Sequence, residues 1–139
     1  MSPLKSRLLT FQTVPDHRGN LAIVEGGKTL PFSISRIYYL YDVPGGAVRG
    51  GHAHRNLQEV VIAITGSFDV TLDDGRERQT MTLRRSNEGL HIPPMAWREL
   101  ANFTSGAVCL VLASHPYDER DYIRDYAAFV AEVSGKHGA

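Results

Sequence analysis

One cysteine is all that this 139-residue chain contains, and its charges cancel, with 15 Lys plus Arg against 15 Asp plus Glu. A lone Cys109 excludes an intramolecular disulfide and fits a reducing compartment, so the cytoplasm is the expected location. Its setting, GAVCLVLAS, reads as a buried strand thiol. Zero net charge leaves no electrostatic footprint for nucleic acid or an anionic membrane, and neither is expected as a partner. No run approaches the roughly 18 apolar residues of a spanning helix. The opening MSPLKSRLLTFQTVPD has too short an apolar run for a signal peptide. No internal repeat, linker or second composition class is visible. At 42% hydrophobic residues, the chain reads as one domain, 1–139, able to bury a core of its own.

What remains is the punctuation of an all-β chain. GNLAIVEG, SISRIYYLYDV, EVVIAITGSFDVTLDDG, RERQTMTL, GLHIPP, WRELANFT and AVCLVLAS are short runs rich in Val, Ile, Leu and aromatics, separated by Gly, Pro, Asp and Asn. Asp74-Gly75 is a preferred hairpin dipeptide. Pro93-Pro94 cannot lie inside a central strand and marks a strand end. Asp16 with Asn20 reads as turn chemistry. In SISRIYYLY, Arg36, Tyr38 and Leu40 point one way, while Ile37, Tyr39 and Tyr41 point the other. Parity alone does not say which face is inside. Only the tail changes period: apolar residues at 122, 123, 126, 129, 130 and 133 predict one short C-terminal helix across a sheet, ending near Gly135.

The chemistry concentrates in GGAVRGGHAHRNLQEVVIAITG, residues 45–66. His52 and His54 are two apart and share a strand face. Glu59 has the opposite simple parity, but a turn or bulge in RNLQ brings it back beside them. Gly50 and Gly51 allow backbone to approach a ligand closely. Three readings stay open on the residues alone: metal ligands, acid–base catalysts, or a hydrogen-bonded polar patch. His91 is a spare candidate ligand, read first as a packed strand histidine.

Gly46, His52, His54, Glu59 and Gly66 fit the first cupin motif, and GLHIPPMAWREL resembles the second, with Gly89 and Pro93 in place. Metal-binding cupins carry a glycine where this chain has Met95, and a fourth ligand where it has Arg98. Beyond the motifs, DHRGNLAIVE, PFSISRIYYLYDVPGGAVRGGHAH, EVVIAITGSFDVTLDDG, PPMAWREL and VLASHPYDERDYIRDY are similar to the nucleotide-sugar 3,4-ketoisomerases. That resemblance covers nearly the whole chain. It implies a cupin jelly roll (double-stranded β-helix) with a short C-terminal helix. It further implies a homodimer that exchanges N-terminal strands, a dTDP-linked 4-keto-6-deoxy sugar as substrate, and neither metal nor other cofactor.

The residues agree about the metal. His52, His54 and Glu59 would suit iron, but a guanidinium in the fourth position has no lone pair to give and repels a cation. Moving a ketone from C4 to C3 needs only a base near the C3 proton and donors for the enediolate oxygen. His52 is expected as the C3 base and His54 as its partner for the oxygen protons and the C4 step. Glu59 is expected to orient an imidazole, and Tyr39 or Arg98 to steady the oxygen. For the substrate, Arg18, Arg36, Arg49 and Arg98 are the candidate cations and Trp97 a candidate stacking platform. Tyr117 and Tyr122 are minor candidates in a tail read as structural. Two other functions fit the same residues: epimerisation of a 4-keto sugar, and sugar binding without chemistry. The C4 configuration of the product is not readable from sequence.

Overall fold

In the computed structural model, residues 7–138 are described. The first six residues of the segment read as too short for a signal peptide lie outside them. The elements, in chain order, are β1 (Arg7–Thr10), β2 (Gln12–Val14), β3 (Leu21–Ile23), β4 (Arg36–Leu40), β5 (Arg49–His54) and β6 (Glu59–Thr65). After them come β7 (Phe68–Asp73), β8 (Arg78–Leu83), β9 (Glu88–Ile92), β10 (Trp97–Ala101), β11 (Val108–Ala113), β12 (Tyr122–Ile123) and α1 (Tyr126–Gly138). They form two five-stranded antiparallel sheets, ordered β1-β9-β6-β11-β4 and β12-β5-β10-β7-β8, and a separate ribbon of β2 and β3. This is the expected all-β cupin jelly roll with a C-terminal helix.

Alternation along the strands fills the space between the sheets. Val61, Leu90, Ile92 and Val111 from one sheet meet Phe68, Val70, Leu72 and Leu100 from the other, all nearly solvent-free. Burial on that scale is the main favourable term in the fold. Two smaller clusters cover the outer faces. Phe11, Leu30 and Phe32 lie over Val60, Ile62 and Leu112. Phe129 and Val133 of α1 lie over Ala53, Trp97 and Ile123. Cys109 is wholly buried, as expected, and burial raises its thiol to about 12.

The long run at 59–73 splits into β6 and β7 at Gly66, whose φ is +69°. A Cβ there would sit 2.6 Å from Thr104 Oγ1 and 2.8 Å from the Ala107 Cα, so only glycine turns this corner. β7 and β8 form the hairpin that Asp74-Gly75 predicts, and β9 stops at Ile92 before the proline pair. Met95 takes the left-handed conformation itself, with φ +61°. A non-glycine residue thus holds a backbone conformation that favours glycine, and the Met95 N–H donates to the His54 carbonyl at 2.7 Å.

The tail departs from the single expected helix. A 3-10 turn at Glu119–Asp121 leads into β12, which pairs Tyr122 with His54 and Ile123 with Ala53. Only then does α1 begin, with the Asp125 carboxylate accepting the Ala128 N–H at 2.9 Å as its N-cap, and it runs past Gly135 to Gly138. The edge of β5 explains the difference: its free backbone groups take up Tyr122 and Ile123 as a strand. Among the described residues no helix is long and apolar enough to cross a membrane.

Candidate active site

The barrel holds a cavity of about 500 Å³, within the usual range for a small-molecule site. β5 brings in Gly50, Gly51 and His52, β10 brings Arg98 and Leu100, and β4 brings Arg36 and Tyr38. Arg49, Glu59, Tyr122 and Arg124 complete its polar lining. Four arginines against one carboxylate make this a pocket for an anion.

His52 and His54 share the inward face, as their spacing requires, with rings edge to face at 4.8 Å. The turn at 55–58 returns the chain so that Glu59 opens β6 beside them. One ring nitrogen of each histidine and a Glu59 oxygen lie within 4.8 Å of one another. His52 faces the cavity; His54 lies beneath it, wholly buried against Tyr122, whose ring is 4.3 Å away. Burial first, then the charge of Arg98, pushes the His52 pKa down to about 2. The same two causes, joined by Arg36 and Arg124, push His54 down to about 3. Both imidazoles are therefore neutral bases at neutral pH.

Glu59 does not orient an imidazole. One oxygen accepts from the Tyr38 hydroxyl at 2.5 Å, and the other is held by Arg98 Nη1 in a buried ion pair. The imidazole's carboxylate is instead Asp121, whose Oδ2 lies 3.2 Å from His54 Nδ1. Arg98 faces the histidines through the register that sets it opposite His52. Its Nη2 donates to the Ala96 carbonyl at 2.9 Å, and its buried Nε has no protein partner. A metal does not fit this donor set. Both oxygens of the would-be carboxylate ligand are occupied, one of them by a permanent cation. His91 stands apart, with Nε2 2.9 Å from Gln58 Oε1, as the packed strand histidine expected.

Two expected site residues, Tyr39 and Trp97, are corrected, and a third, Arg18, lies outside the cavity of its own chain, in the turn between β2 and β3. Tyr39 points outward and is 59% exposed; alternation on β4 puts Tyr38 inside instead, where burial and then Glu59 push its phenol well above the ordinary range. Trp97 points away from the cavity by the same rule on β10 and packs edge to face on Tyr126 at 5.3 Å. Arg18 is tied to Asp16 in an exposed turn, by contacts of 3.0 and 2.9 Å, outside the cavity lining. Arg36, Arg49 and Arg98 do line the cavity. Arg36 stands over the rings of Tyr38 and Tyr117, 5.3 and 5.6 Å from their centroids, and its buried Nε and Nη2 have no hydrogen-bond partner.

Asp121 and Arg124 were not expected at the site, and Tyr122 only faintly. Arg124 lies 4.2 Å over the Tyr122 ring and is paired with Glu119. Two residues of strand carry no readable period, so only the acidic and aromatic density of YDERDYIRDY signals this wall.

The family model described as FdtA: WxcM-like, C-terminal, matches residues 4–134. A TDP-4-oxo-6-deoxy-alpha-D-glucose-3,4-oxoisomerase of Aneurinibacillus thermoaerophilus is 43% identical over 126 residues, 91% of each chain. Among solved structures, a 3,4-ketoisomerase from Helicobacter canadensis is 44% identical, with a TM-score of 0.92 over 94% of this chain and 98% of that one. The sugar 3,4-ketoisomerase QdtA from Thermoanaerobacterium thermosaccharolyticum, in complex with TDP, is 38% identical with a TM-score of 0.94 over 98% of both.

Proposed function

The chain belongs to the FdtA family of dTDP-sugar 3,4-ketoisomerases, and on that premise we propose that His52 starts the reaction as the C3 base. The protein is a 3,4-ketoisomerase of dTDP-4-keto-6-deoxyhexoses. The substrate within that class is dTDP-4-oxo-6-deoxy-D-glucose, as for the Aneurinibacillus relative. The observation that carries the assignment is a neutral histidine facing the cavity beside a carboxylate already neutralised by Arg98.

The steps balance without a redox partner. His52 takes the C3 proton, the C3–H electrons become the C3=C4 bond, and the C4 carbonyl oxygen becomes an enediolate. Arg98, whose buried Nε has no protein partner, is the donor for that oxygen, in a water-poor site where such a donor acts most strongly. A proton is then delivered to C4, and the C3=C4 electrons form the new C4–H bond. The O3 proton passes to O4, and the O3–H electrons form the C3 ketone beside a C4 hydroxyl. His54, buried behind His52, serves the oxygen protons and the C4 step through His52, the one of the two that faces the cavity. No step needs a metal. Arg36 and Arg49 hold the diphosphate, for which the unpartnered guanidinium nitrogens of Arg36 are suited. One cupin unit, 1–139, supplies this machinery.

Carbon NMR of the enzyme with dTDP-4-oxo-6-deoxyglucose in deuterated buffer is expected to show the ketone at C3 and deuterium at C4. A ketone that stays at C4 with inverted stereochemistry would make the protein an epimerase. No deuterium anywhere would make it a binder.

The homodimer with exchanged N-terminal strands belongs to this proposal. Among the described residues, β2 and β3 pair only with each other, and they leave Val14 and Leu21 exposed. Ile37, Tyr39 and Tyr41 crowd the outer face of edge strand β4. A ribbon of two strands is marginal by itself, and an apolar edge face favours cover. Light scattering at micromolar concentration is expected to give twice the 15.4 kDa chain mass; a monomer rejects the dimer.

A further inference from the structure

His54 is an unusual proton carrier, because none of it reaches the cavity surface. Its usefulness depends on which ring nitrogen bears the hydrogen, and Asp121 settles that. The Asp121 carboxylate is ringed by donors: Oδ1 accepts the Asn56 N–H at 2.8 Å and Oδ2 the Leu57 N–H at 3.2 Å. A carboxylate so placed offers only lone pairs, so His54 Nδ1, 3.2 Å from Oδ2, supplies the hydrogen. Nε2 is then left with its lone pair, buried and without a protein partner.

We propose that Asp121 is a positioning residue of the isomerisation, holding His54 as the Nδ1–H tautomer so that Nε2 is an acceptor in the layer behind His52. This deepens the isomerase reading and rests on it for the value of the tautomer, not for its existence. Arg98, Arg36 and Arg124 all act against a charge on His54. Asp121 is the anion in direct contact with it, so a proton passing through Nε2 has one compensating charge at hydrogen-bond distance. The local fold is built to keep that contact. Asp121 closes the 3-10 turn, its carbonyl accepts the Arg55 N–H at 2.9 Å, and Arg55 donates to the carbonyls of Arg120 and Tyr122 at 2.7 and 3.2 Å. The same guanidinium binds Glu132 of α1 through two contacts of 3.0 Å. Helix, turn and the end of β5 are thereby joined at one guanidinium, next to the carboxylate that holds His54.

The test reads ring nitrogens by long-range 15N–1H NMR on the wild-type enzyme, alone and as Asp121→Asn. The wild type is expected to show His54 protonated at Nδ1. In the variant the amide oxygen keeps the Asn56 N–H, while the NH2 group takes the Oδ2 position, gives up the Leu57 N–H and meets Nδ1, so the hydrogen moves to Nε2. With that shift kcat is expected to fall by about 10²-fold, while KM stays within about twofold. A wild-type His54 protonated at Nε2 overturns the inference, whether or not the variant folds. A switched tautomer with unchanged kcat also overturns it and leaves the isomerase intact. A wild type that shows the Nδ1 tautomer but no isomerase turnover rejects the proposed function alone.

Discussion

Asparagine in place of His52 is expected to lower turnover by about 10²–10⁴-fold, the usual share of a positioned general base, and to stop exchange of the C3 hydrogen with solvent. The substitution keeps the polarity and most of the volume while removing the basic nitrogen. Binding of the thymidine nucleotide is expected to survive, because Arg36 and Arg49, the arginines proposed to hold the diphosphate, are untouched. A variant with full isomerase activity rejects His52 as base. The pH dependence gives a companion result. A depressed pKa keeps the base neutral at every pH above it, so kcat/KM is expected to show no acid limb at about 6.5, where a free imidazole titrates. Stability runs by the same sign. Below about 6.5 an unfolded chain protonates its histidines while folded His54, held near 3, does not. Acidification therefore costs up to about 1.4 kcal/mol per pH unit for that residue. An acid limb near 6.5 would place both imidazoles in water.

How much of this was legible depended on the range of the interaction. The His52–His54 pair, Glu59 and the mismatched Arg98 are written in spacing within two short motifs, and the turn at 55–58 is local. So were the jelly roll and the hairpin at Asp74-Gly75. Tyr38 against Tyr39 was not legible, because both faces of β4 are apolar or aromatic and only the opposing sheet decides which is inside. Trp97 misled for the same reason, since an inward-facing neighbour and a helix-facing neighbour look alike in a run of alternating residues. Asp121 was hidden most deeply. Its partner is 67 residues away, on a strand it reaches through a two-residue pairing that no periodicity announces. Glu59 was given the orienting task by proximity in sequence, and the structure gives the contact to the distant carboxylate.

The other large effect concerns Arg98. Replacing it by alanine leaves Glu59, 1% exposed, as a buried anion held by the Tyr38 hydroxyl alone. Breaking one side of a buried pair costs about 3–5 kcal/mol, and chemical denaturation is expected to show a loss of that size. The double variant Arg98→Ala, Glu59→Gln is expected to recover much of it, since no charge remains to be compensated. An Arg98→Ala midpoint equal to the wild type would mean that the pair is not buried in solution. The same variant probes the metal question in the opposite direction. With the guanidinium gone, Glu59 and the two imidazoles become an open two-histidine, one-carboxylate set, and elemental analysis is expected to find more bound iron or zinc than in the wild type. Stoichiometric iron in the wild type, with activity lost on stripping and restored on addition, overturns the metal-free mechanism.

The pocket is built from two parts of different kinds. Its floor belongs to strands whose inner residues must interlock with a second sheet, so their identities are bound to the packing of the barrel. Its outer wall, 117–124, is a short segment laid along the rim of β5 and fastened from behind by Arg55 and the helix. Of that strip Tyr122 and Arg124 face the cavity, while Ile123 is core and Asp121 holds His54. A lineage using this architecture can therefore vary its choice of sugar at two rim positions, while the proton chemistry underneath, Asp121 included, is inherited intact.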